Sequence, residues 1–177
     1  MADDEAAVRT ATGESEEAVA DVVAVLKRGV IGAIAGAAGL VVMSVVLAVA
    51  IALGAFDTAA FAELASIAGG GESELLGYAV FFGGGMTTWP LLFAVLNDYL
   101  PGGRMETSGL TFGTIAWTGF ILAFYTSQTG TALVLYLGLT LLAHWGYGAT
   151  LGAVFDLVTA RTDVVFVTEG VNVSRED

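Results

Sequence analysis

The chain has 177 residues, room for one domain, and 56% of them are hydrophobic. It carries 18 acidic and 6 basic residues, for a formal net charge of −12, and has no basic stripe that would suit nucleic acid. With no cysteine, disulfides, thiol chemistry and thiolate metal sites are excluded.

The first element is an acidic segment, residues 1–28. Val19, Val22, Val23 and Leu26 share one face of a helix, opposite Glu14, Glu17 and Asp21. That pattern predicts an N-terminal amphipathic helix, either lying along a membrane surface or running straight into the apolar chain that follows. An acidic start does not read as a signal peptide, which begins basic.

Four apolar runs come next, at about 29–56, 75–96, 109–125 and 132–158. Crossing a bilayer takes about 20 residues for ~30 Å of hydrocarbon. The expected fold class is an all-α membrane protein with four transmembrane helices filling a domain at 29–158. In the first run Gly29, Gly32, Gly36 and Gly39 recur at three- and four-residue spacing, and Gly148 and Gly152 do so in the fourth. Small residues let helix backbones approach in lipid, where no hydrophobic drive holds helices together. Between runs one and two, Phe61, Leu64 and Ile67 predict a short interfacial helix, with Asp57 or Thr58 as its cap and Gly69-Gly70-Gly71 as its end.

Run two contains Gly83-Gly84-Gly85, then Met86, Thr87 and Thr88, then Trp89-Pro90. A proline inside a helix removes a donor and frees a carbonyl, so this run should be the least regular. Trp89, Trp117 and Trp145 lie deep in their runs, and their indole N–H groups need partners there. The single histidine, His144, sits near the middle of run four. Its plain reading is a neutral imidazole bonded to a neighbouring threonine, such as Thr87, Thr88, Thr114 or Thr118; its functional readings are a metal or haem ligand, a proton relay or a ligand contact. Asp98 and Asp156 are read as ending runs two and four. They are interfacial ion-pair partners or, in a sharper reading, carboxylates at a cytoplasmic mouth.

The six basic residues, Arg9, Lys27, Arg28, Arg104, Arg161 and Arg175, all fall on one side if the runs alternate, and the other side has none. The positive-inside rule then places both termini in the cytoplasm of a multi-pass protein of the cell membrane. The last segment, 159–177, is an acidic cytoplasmic tail, in which Asn172-Val173-Ser174 matches a glycosylation pattern by chance. The acidic excess, with one lysine among six basic residues, reads as adaptation to molar salt, where charges are screened within ~3 Å.

Sliding run two along the chain until Tyr78 meets Tyr136 also sets Trp89 on Tyr147, Asp98 on Asp156 and Met86 on His144. Two repeated helical hairpins are one account of this; shared apolar composition is the other. The same alignment leaves a His144–Met86 haem site as an alternative to the expectation of no cofactor, although a methionine at such depth is more often packing. No metal-ligand motif, nucleotide loop or nucleophile elbow is present, so no catalytic residue is assigned and enzymatic activity is not expected.

The acidic ends, the Gly/Ala-rich first run and the stretch Ala143-His144-Trp145-Gly146-Tyr147-Gly148 resemble small multi-span membrane proteins of halophilic archaea that have no assigned function. The resemblance implies an accessory or structural subunit of a larger membrane complex, some such proteins being companions of respiratory complexes. The alternative is a small oligomeric transporter or channel for an ion or solute. Expected partners are membrane lipid, other membrane subunits or a second copy of the chain.

Overall fold

The computed structural model describes residues 2–125 and 127–162, so the tail beyond residue 162, with its glycosylation pattern, lies outside the described residues. Helix α1 spans Ala2–Ala52, α2 Ala60–Ile67, α3 Glu74–Met86, α4 Thr88–Leu96, α5 Met105–Ala123 and α6 Gly130–Thr162. A single 3-10 turn, Asn97–Tyr99, follows α4. Among the described residues the chain is all-helical.

The amphipathic segment runs straight into the first apolar run as one helix of 51 residues. It stops four residues short of the expected end, because Gly54 adopts φ +66° and the amides of Gly54 and Ala55 bond back to Ile51 and Ala50. That left-handed stop suits glycine, which has no Cβ to clash. Helix α2 forms where Phe61, Leu64 and Ile67 predicted it and ends the same way, with Gly69 at φ +81°. Asp57 caps the turn ahead of it, its side chain accepting from the Ala59 amide at 2.9 Å. This helix does not lie apart from the bundle. Phe61 is buried and stacks on Tyr78 of α3 with ring centres 4.2 Å apart.

The second run is broken. Its two helices meet at Thr87, three residues ahead of Pro90, where the backbone leaves helical geometry (φ −122°, ψ −65°). The fourth run has no such break, so the two halves of the chain are built differently.

Three stretches are long and apolar enough to cross a membrane, Ala18–Ala52, Glu74–Tyr99 and Gly130–Val158. These suggest membrane association. Helix α5, the remaining one of the four expected spans, falls short by composition, because its 19 residues include Glu106, Ser108 and four threonines. Those hydroxyls are partly neutralised locally: Thr114 donates to the Leu110 carbonyl at 3.0 Å and Thr118 to Ile115 at 2.6 Å. A threonine bonded to its own helix presents less polarity than its side chain alone would.

Helix α6 is the centre. It packs on α5 along one side and on α1 along the other, and α1 in turn carries α3 and α4. The α5–α6 seam is a glycine zipper. A Cβ on Gly109 would meet the Gly148 backbone, one on Gly113 the His144 carbonyl, and one on Gly152 the Met105 carbonyl. Along α1, Gly36 lies against Gly85 and Pro90, Gly39 against Tyr147, and Gly32 against Pro90 and Phe155. Gly29, expected in the same role, has nothing within 4 Å of the place a side chain would begin.

The ring does not close between α5 and α3–α4. There the two sides touch mainly through aromatic rings, Phe81 with Phe120 and Phe124 at one level and Phe93 and Trp89 with Phe112 at another. Two buried clusters result. One contains Leu40, Met43, Phe93, Phe112 and Leu151, the other Phe56, Phe61, Phe120, Phe124 and Tyr136.

Candidate functional site

Facing positions on α3 and α5 are small. Gly84 and Gly85 look across at Ala116, Gly119 and Ala123, so the aromatic props on either side hold a space between them. The space is a cavity of about 390 Å³, within the range of small-molecule sites. Leu40 and Met43 of α1 and His144 and Tyr147 of α6 form its floor, and Leu64 of α2 also lines it.

Its lining is apolar apart from a few groups. His144 is 4% exposed, and its Nδ1 lies 2.8 Å from the carbonyl oxygen of Thr140, one turn back on the same helix. The Phe120 ring meets the imidazole edge-on at 4.7 Å and holds its plane. Tyr147 donates its hydroxyl to the Gly85 carbonyl at 2.7 Å, joining α6 to α3 just ahead of the break at Thr87. Thr88 and Trp89 of α4 complete the polar lining.

The structure therefore gathers His144, Thr88 and Trp89 around one space. Met86 lies elsewhere: its Cα sits against Gly36 of α1, and it is not among the cavity's lining residues. Thr87 turns back to its own helix, donating to Gly83 at 2.7 Å. Trp117 and Trp145 lie on the α5–α6 seam, where they find the threonine partners their depth required. Trp117 donates to Thr140 at 3.0 Å and Trp145 to Thr114 at 2.9 Å. The partner of His144 is thus a backbone carbonyl of its own helix, not a threonine hydroxyl across the bundle.

The two aspartates are apart from this site. Asp98 lies in the 3-10 turn after α4, where Asn97 is its hydrogen-bond neighbour at 3.5 Å. Asp156 does not end its helix, since α6 continues to Thr162. Arg104 pairs with Glu106 at 3.5 Å.

Among the contributors not read as such from the sequence are Tyr147, Gly119, Thr140 and the Gly109–Gly113 pair. The glycine pair had a signal, the same four-residue spacing as Gly148 and Gly152 on the helix it meets. Thr140, one turn before His144, had a weaker one.

Residues 26–165 match the model of a family of unknown function, DUF6789. The chain belongs to that family. No curated protein and no solved structure matches it. The DUF6789 match takes in every residue that lines the cavity and leaves most of the acidic N-terminal segment outside.

Proposed function

We propose that this DUF6789 protein is a four-span membrane protein, with both termini in the cytoplasm, that holds a small apolar molecule in the cavity between α3–α4 and α5. The observation that carries the reading is a cavity of about 390 Å³ with an otherwise apolar lining and a buried histidine in its floor. Such a site is what an apolar body with one polar handle requires. The four spans are supported by three long apolar stretches and by the packing of α5 along one side of α6. The one-sided arginines and lysine support the orientation, and the acidic exterior supports a salt-rich setting.

Gly119 provides the test. It lines the cavity, and a side chain there would begin with nothing within 4 Å. Wild-type protein extracted with its lipids should carry a bound apolar molecule above the level in protein-free membrane, detected by mass spectrometry. Gly119→Leu should lose that molecule and keep the helical circular dichroism signal. Equal ligand in both proteins, or none in the wild type, would defeat the proposal.

A second reading, as a subunit of a larger membrane complex, is favoured by Gly83 and Gly138. Both lie within helices and have nothing within 4 Å, so another helix can come close to them. Copurifying membrane chains from the host would support it. A channel through one copy has less support, because aromatic contacts bracket the cavity at both levels.

A further inference from the structure

We infer that the cavity selects an apolar molecule bearing a hydroxyl group, an alcohol or phenol, whose hydrogen bond is accepted by Nε2 of His144. The inference rests on the reading of the cavity as a binding site and specifies what enters it.

The reasoning begins at the other ring nitrogen. Nδ1 lies 2.8 Å from the Thr140 carbonyl oxygen, and a carbonyl can only accept. Nδ1 therefore carries the ring proton. In apolar, water-poor surroundings the ring is neutral, so Nε2 is left as a bare acceptor. No hydrogen bond is made to Nε2 among the described residues, although His144 is 4% exposed and lines the cavity. Tyr147 reinforces the sign of the site. Its proton is committed to the Gly85 carbonyl, so what its oxygen can still offer is also an acceptor. Thr88 and Trp89, on α4, supply donors.

A hydroxyl fits this set because it donates to Nε2 and can accept from Thr88 or Trp89. An ether or ketone of the same shape satisfies the donors and leaves Nε2 unmet, and an unmet buried acceptor is costly. A metal ion is a poorer occupant, since no cluster of three or more His, Cys, Asp or Glu exists among the described residues.

The test uses the full chain in nanodiscs with 4-tert-butylphenol and its methyl ether, measured by equilibrium dialysis against empty nanodiscs. One net hydrogen bond corresponds to about five- to ten-fold tighter binding of the phenol. His144→Phe keeps a ring against Phe120 and removes the acceptor, so both probes should bind with the preference gone. Should that variant fail to fold, His144→Leu also removes the acceptor with a smaller apolar side chain and should likewise abolish the preference. If the wild type binds both probes equally, or either folded variant retains the phenol preference, hydroxyl selection is wrong while the cavity reading stands. Binding of neither probe above empty nanodiscs would overturn both.

Discussion

The α5–α6 seam makes a quantitative demand on Gly148. Its α-hydrogen faces the backbone of Gly109, and a methyl group there would overlap the Gly109 carbonyl and come within 3.2 Å of the Gly113 nitrogen. Nothing at that contact is a side chain that can rotate away, so the two helices must separate. Forced overpacking of this kind costs about 1–3 kcal/mol. A gap of ~0.5–1 Å also forfeits about a quarter to a half of the dispersion well of each pair it opens. Against this, alanine is the better helix former by about 1 kcal/mol. Gly138→Ala cancels that gain, because Gly138 is in the same helix and has open space around it. The difference between Gly148→Ala and Gly138→Ala therefore isolates the packing cost, about 1–3 kcal/mol. Unfolding in mixed micelles by added dodecyl sulfate, followed by circular dichroism, measures both. Two variants of equal stability would refute the backbone contact between α5 and α6.

Tyr147→Phe should cost about 1 kcal/mol in the same assay, the net worth of the bond its hydroxyl makes to Gly85; no change would mean that water or lipid replaces it. Trp145→Phe should leave Thr114 bonded to its own helix and cost about as little, whereas Trp117→Phe disturbs the turn that holds His144 and should also weaken probe binding. Glu106 lies ahead of the segment proposed to cross the membrane, and its carboxyl is held below the ordinary glutamate value, chiefly by a hydrogen bond from its own backbone amide; desolvation opposes this, and the charge and hydrogen bond of Arg104 add to it in smaller measure. A lowered folded value means that its contribution to the first turn of α5 is complete above the ordinary value and fades as pH falls through the folded one. Carboxyl NMR should find that low midpoint, and Arg104→Gln should raise it only slightly. Reporter fusions at the two ends of the chain should map to the same membrane face; opposite faces would exclude an even number of spans.

Much of the helical plan is visible in the sequence because it depends on local features. Phe61, Leu64 and Ile67 mark α2, the glycines mark its end, and the stretch from Gly83 to Pro90 marks the broken helix. Least legible among the helices is α5, expected as a span yet short of one by composition, its threonines partly bonded back to their own helix. The site is less legible because its parts meet from six helices. That His144 belongs with Gly119 and Leu64 depends on how α5 and α2 settle against α6 and α3, and no spacing within one helix records it. Pairing Met86 with His144 assumed that equal position along matched helices gives equal depth and facing. The break at Thr87 and the close approach of Gly36 set the Met86 backbone against α1, and Met86 is not among the residues that line the cavity.

The unbroken course of α1 sets a distance. An α-helix rises ~1.5 Å per residue, so the part ahead of Gly29 stands about 40 Å out from the bundle. With no joint along its course, that segment is a stiff spacer beyond the packed helices.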